Sequence, residues 1–131
     1  MAGQRVLKRF NKLVLLGLLL GAGALWAGSF DEAVAAYGRG DYAPALKTFR
    51  ALAAQGNPDA QSNLGTMYSR GRGVAQDPVR AAMWFSLAAA AGESTALTNR
   101  EVVERKMTPA QITLARQMAR DCQQRNFSGC N

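Results

Sequence analysis

The stretch Asp59 to Gly92, DAQSNLGTMYSRGRGVAQDPVRAAMWFSLAAAAG, leaves this chain few folds, because it spells a helix, a turn and a second helix in one run. Ala60, Leu64, Met67 and Tyr68 recur at i, i+4, i+7 and i+8, so a helix gathers them into one apolar stripe. The run Ser69-Arg70-Gly71-Arg72-Gly73 ends that helix, its two glycines being able to take the positive φ of a helix exit. Asp77-Pro78 opens the next helix: a carboxylate accepts from free first-turn N–H groups, and proline at the first helical position loses no hydrogen bond. Ala81, Phe85, Ala88 and Ala89 form its apolar face, and Gly92 stops it. Alanine on facing surfaces lets two antiparallel helices approach closely, while Tyr68, Trp84 and Phe85 bring most of the buried area.

Within that unit Ala60, Leu64-Gly65, Tyr68, Gly71-Arg72-Gly73-Val74, Asp77, Ala81-Ala82, Trp84, Ala88-Ala89 and Gly92 stand in a fixed pattern. The pattern resembles the SEL-one-like repeat (SLR), a relative of the tetratricopeptide repeat. The resemblance is good from Asp59 to Gly92 and looser over much of the remaining chain. It implies an α/α solenoid used as a protein-binding scaffold, usually without catalysis. Ala60, Leu64, Tyr68, Trp84, Phe85 and Ala88 are the expected repeat core.

The chain before the unit falls into two parts. Arg5, Lys8, Arg9 and Lys12 precede an apolar run from Leu13 to Ala27, the layout of a secretory signal peptide. The run is 15 residues, shorter than the roughly 20 needed to span a bilayer. Small residues at −3 and −1 fit a cut after Ser29 or after Ala24; a cut after Ala27 puts Leu25 at −3. Export to a periplasm or the outside is therefore expected, with an uncleaved inner-membrane anchor facing outward as the alternative. Removing residues 1–29 takes four positive charges from 16 Lys+Arg and none from 9 Asp+Glu, leaving a net charge of +3. That balance does not call for nucleic acid. Arg70-Gly71-Arg72-Gly73, a single RGG-like copy between helices, reads as a turn with solvated arginines.

From Ser29 onward the unit repeats. Ser29 and Glu32 have capping-box spacing ahead of a short helix through Ala33, Val34, Ala36 and Tyr37, which ends at Gly38-Arg39-Gly40. Asp41 starts a second helix, Tyr42 to Ala54. Asp41 and Asp77, Phe49 and Phe85, Ala53 and Ala89, and Gly56 and Gly92 all stand 36 residues apart, which marks an internal repeat. The first copy has a tighter Gly-Arg-Gly-Asp-Tyr turn of the tetratricopeptide kind. Asn57-Pro58 starts the central unit by the same device as Asp77-Pro78.

After Gly92 the pattern weakens. A third first-helix is expected over Ser94 to Lys106, with Ala96 standing 36 residues after Ala60. Arg100, Glu101 and Glu104 there replace Leu64, Gly65 and Tyr68, a polar end such as a solenoid needs. Glu101 and Arg105 are spaced for a surface ion pair. Thr108-Pro109 with Gln111 starts a closing helix with Ile112, Ala115, Met118, Ala119 and Cys122 on one face. The expected fold is all-α: a short solenoid of three helix pairs, 30–56, 57–92 and 93–122, with a tail 123–131.

The two cysteines, Cys122 and Cys130, lie at the end, and in an exported chain a disulfide tying the tail is the default. Their spacing does not suit a redox pair, and two thiols without histidine do not make a metal site. No cofactor is expected. The chain has no histidine, so the commonest general base is missing, and Asp41, Asp59 and Asp77 read as helix-start residues. Cysteine-rich relatives of the SLR family imply a rival reading as a β-lactam-binding or envelope enzyme, but their repeats each carry a cysteine pair that this chain lacks. A membrane-tethered structural module is the other rival. The leading expectation is a non-enzymatic adaptor that binds a protein or peptide through its first helices. On the central first helix the face opposite the apolar stripe presents Ser62, Asn63, Thr66, Ser69 and Arg70.

Overall fold

The computed structural model describes residues 28–131, and the expected signal segment with its cleavage sites lies outside the described residues apart from Gly28 and Ser29. Six helices follow in order: α1 Phe30–Gly38, α2 Tyr42–Ala54, α3 Pro58–Arg70, α4 Pro78–Ala90, α5 Ala96–Glu104 and α6 Pro109–Gln124. Among the described residues there is no strand, and no helix is long and apolar enough to cross a membrane.

Four of the six starts are set by side-chain caps. Ser29 and Glu32 form a reciprocal capping box at α1, and Thr108 and Gln111 form another at α6. Asn57 Oδ1 accepts from Ala60 N–H at 2.9 Å, and Asp77 Oδ1 from Arg80 N–H at 3.0 Å. The cap on α1 survives a chain cut after Ala24 and is lost with a cut after Ser29. Asp41 occupies the N-cap of α2 but makes no side-chain cap bond. Its ψ of 76° falls short of the 99° to 156° of the four capping residues, so its carboxylate is not carried over the first turn.

The array is organised on α4. Ala81, Ala82, Met83, Trp84, Phe85, Leu87 and Ala88 are all buried, the signature of a helix enclosed on several sides. It packs against α3, α5 and α6, while α2 packs on α1 and α3. Burying each of its large side chains contributes roughly 1.5–3 kcal/mol. The first two pairs are helical hairpins. The third is splayed: α5 and α6 both make their main contacts with α4 rather than with each other.

The Leu64-Gly65 step explains how close α3 and α4 come. A methyl group on Gly65 would lie 2.7 Å from ring atoms of Phe85, so the aromatic ring rests directly on the α3 backbone. Gly73, at φ +74°, serves the loop in the same way: a Cβ there would lie 2.8 Å from Tyr42 Cβ. Gln61, fully buried on α3, donates to the Ala53 carbonyl at 3.3 Å and ties α3 to the end of α2.

Three expectations change. The fifth helix runs Ala96–Glu104, shorter than 94–106, because the Glu93 carboxylate holds Thr95 N–H and hydroxyl in a turn before it. The last helix continues through Gln124, past the expected boundary at 122. Among the described residues no Glu101–Arg105 ion pair forms. Instead Glu104, at the register position of Tyr68, takes Arg100 at 3.7 Å and Arg116 of α6 at 3.4 Å. A carboxylate replacing an aromatic in a half-buried place gathers cations from both sides, and the Arg116 pair is a bridge from α5 to α6.

The tail closes back on the array. Cys122 and Cys130 form a disulfide with their Cα atoms 5.5 Å apart. Inside the loop Asn126 and Phe127 adopt φ of 50° and 63°, a left-handed step that bulky residues rarely take. It swings the Phe127 ring over Gly56 at the α2–α3 turn, where the ring comes within 3.1 Å of the place a Cβ would occupy.

Candidate functional site

The stripe on α3 faces inward, with Ala60, Leu64 and Met67 fully buried and Tyr68 4% exposed. Trp84, Phe85 and Ala88 are buried across from it on α4. The other side of α3 is accessible: Ser62, Asn63, Thr66 and Ser69 are half-buried and Arg70 is exposed. Two of these side chains turn back on their own helix. Asn63 Nδ2 donates to the Asp59 carbonyl at 2.8 Å, and Thr66 Oγ1 to the Ser62 carbonyl at 3.2 Å.

Thr66, Ser69 and Arg70 come together in one cavity of about 220 Å³ between α3 and α5. Phe85, Asn99, Val102 and Val103 complete its lining. A smaller cavity of about 80 Å³ shares Ser69, Val102 and Val103 and continues to Gln76, Pro78 and Lys106. The two make one groove along neighbouring first helices. Gln76 Nε2 donates to the Ser69 carbonyl at 2.9 Å and thereby fixes the loop beside it. Asn63 and Ser62 lie outside these cavities, farther toward the start of α3.

Ser62 marks the other end of the face. Its hydroxyl approaches the Glu93 carboxylate. Burial raises the Glu93 pKa, but hydrogen bonds from Thr95 N–H and hydroxyl, helped by the nearby Ser62 hydroxyl and Ala96 N–H, outweigh it and hold the group below the ordinary glutamate range. The accessible face thus runs from the hydrogen-bonded Glu93 carboxylate to the exposed cations Arg70 and Lys106.

The arginines of the Gly-rich turn have different fates. Arg70 is exposed. Arg72 is not merely solvated: its Nη1 donates to Tyr37 Oη at 3.3 Å and its guanidinium lies 5.7 Å from the centre of that ring. The Tyr37 hydrogen bond, followed by the charges of Tyr37 and Tyr42, pushes the Arg72 pKa further up. Tyr68 is held similarly, its hydroxyl 3.4 Å from Arg50 Nη2 and its ring 5.9 Å from the Arg80 guanidinium.

The α5 wall, Asn99, Val102, Val103 and Lys106, was absent from the sequence reading of the site. A signal for it exists in the 36-residue register, which carries Asn63 to Asn99, Thr66 to Val102 and Arg70 to Lys106. A further cavity, about 240 Å³ between α1 and α2, is lined partly by Gly28, where the described residues begin. Among the described residues no group of three or more His, Cys, Asp or Glu could hold a metal ion.

The groove combines an apolar floor of Phe85, Val102 and Val103 with a hydrogen-bonding rim of Thr66, Ser69 and Asn99. Residues 58–93 match the Sel1 repeat family model, a repeat that is generally a non-catalytic protein-interaction scaffold. No curated protein matches the chain.

Proposed function

We propose that this chain, an all-helical stack carrying a Sel1 repeat at residues 58–93, works as an exported adaptor that binds a partner protein between its first helices. The carrying observation is the α3–α5 groove, in which Thr66, Ser69 and Arg70 face Asn99, Val102 and Val103. Hydroxyls and an amide above a floor of Phe85 and valine suit an extended peptide: its backbone takes the hydrogen bonds and its side chains the apolar contacts. The reading includes no catalytic step, since the groove offers hydrogen bonding and apolar contact without an activated nucleophile. Export is supported by the n-region and apolar run of residues 1–27 and by the Cys122–Cys130 disulfide, which is compatible with an oxidising compartment.

The test is a cross-linking pull-down from the native compartment with wild type and a Thr66→Arg variant. Thr66 is half-buried at the cavity wall, so an arginine fills the groove without entering the core. Recovery of one partner by wild type and its loss with the variant is expected. Equal recovery by both would move the binding surface elsewhere. Mass spectrometry of the mature N-terminus separates a cleaved protein from a retained anchor.

A further inference from the structure

The chemistry of the partner segment is legible in the cations at the ends of the first helices. The 36-residue register places Lys106 where α3 has Arg70, and the 31-residue register that relates Tyr37 to Tyr68 places Arg39 there as well. All three are exposed. A cation after the last turn of a helix is favourable in itself, through the helix dipole. Arg70 and Lys106 have a second property: each lines one of the two joined cavities of the α3–α5 groove.

Neither cation forms an ion pair within the described residues, where the bridges are Arg80–Asp77, Arg100–Glu104 and Arg116–Glu104. Asp77 also caps α4, and Glu93 is occupied by Thr95. The groove therefore ends in two positive charges with no carboxylate of the chain assigned to them. Val102, 47% exposed, borders both cavities and leaves an apolar patch beside the charges.

Resting on the groove reading above, we infer that the α3–α5 groove takes an extended acidic segment of its partner. Carboxylates of the segment meet Arg70 and Lys106, and a small apolar side chain covers Val102. A polyproline-II chain advances roughly 3.1 Å per residue with three residues per turn. Acidic residues about three positions apart thus present their carboxylates on one side of the segment, toward the two cations.

The experiment is fluorescence anisotropy with labelled peptides made of Glu-Val-Ala, Gln-Val-Ala or Lys-Val-Ala repeats. They are offered to wild type, to the double variant Arg70→Gln with Lys106→Gln, and to Thr66→Arg, with matched thermal melts to confirm folding. The Glu peptide is expected to bind wild type about tenfold more tightly than the Gln peptide, the scale of two partly exposed ion pairs. That margin is expected to vanish in the double variant and to shrink with added salt. Equal binding of Glu and Gln peptides, both blocked by Thr66→Arg, would overturn the acidic preference while leaving the groove in place. Binding unaffected by Thr66→Arg, or no binding to wild type, would overturn the inference. In that last case a partner still captured in a Thr66-dependent way in the pull-down would preserve the adaptor reading.

Discussion

Gly65→Ala tests the packing on which the central pair depends. In a helix interior the substitution ordinarily stabilises by about 1 kcal/mol, because alanine loses less backbone freedom than glycine. Here the new methyl would meet Phe85 Cδ1 and Cε1 at 2.7 Å and Cγ at 3.0 Å. Phe85 is 2% exposed and belongs to the buried core, with open space only on its groove side, so its ring must tilt toward the groove or its neighbours must give. Overpacking of that kind costs about 1–3 kcal/mol. The net expectation is a loss of about 1 kcal/mol, seen as a lower urea midpoint at unchanged slope. For a domain of this size the melting temperature should fall by about 4–8 °C per kcal/mol. Gly38→Ala is the matched control: no heavy atom lies within 4 Å of the position its Cβ would take, so it should be neutral or mildly stabilising. Adding Phe85→Leu to Gly65→Ala should cost less than the two single changes together, because the clash disappears with the ring. If Gly65→Ala raised the midpoint as Gly38→Ala does, the close approach of α3 and α4 would not be the reason for glycine at this position.

The capped and uncapped helix starts give a paired comparison: Asn57→Ala should cost about 1 kcal/mol and Asp41→Ala almost nothing, measured by chemical denaturation. Replacing both cysteines by serine should remove about 2–3 kcal/mol of loop-closure stabilisation. Part of that loss is offset by relaxation of the left-handed step at Asn126 and Phe127, so a net loss of about 1–2 kcal/mol is expected, and a larger one would mean the pair supports more than the tail. Glu93 has a folded pKa below its unfolded value, so its contribution is present above the ordinary glutamate range and fades as pH falls through the folded value. Denaturation of wild type and Glu93→Gln from neutral to acid pH should show the two curves converging on acidification; a gap that widened would reverse the assigned direction.

Helix pairing was legible in the sequence because three local signals agreed: the apolar stripes, the Asn57-Pro58, Asp77-Pro78 and Thr108-Pro109 starts, and the glycines Gly56 and Gly92 after α2 and α4. Half of the groove was legible for the same reason, since a helix with a buried Ala60-Leu64-Met67 stripe must show its opposite face. The α5 half was obscured by Arg100, Glu101 and Glu104, whose loss of identity hid a register still kept by Ala96, Asn99 and Lys106. Docking of α6 on α4 could not be read because α4 is apolar on several faces, and no pattern says which neighbour takes which. The role of Gly65 was equally silent: a missing side chain does not name the ring that uses its space.

The Phe127 contact changes how this array can come apart. In a stacked repeat each unit answers mainly to its neighbours, so the last helix can fray while the first pair stays intact. Here the disulfide-closed tail reaches from α6 past the middle of the stack to Gly56, at the joint between the first and second units. Loosening at the C-terminal end therefore withdraws a support from the α2–α3 corner, and opening of that corner releases the tail. Amide exchange at residues 55–57 and 122–128 should accelerate together when the tail is cut, a coupling between distant units that nearest-neighbour stacking alone does not produce.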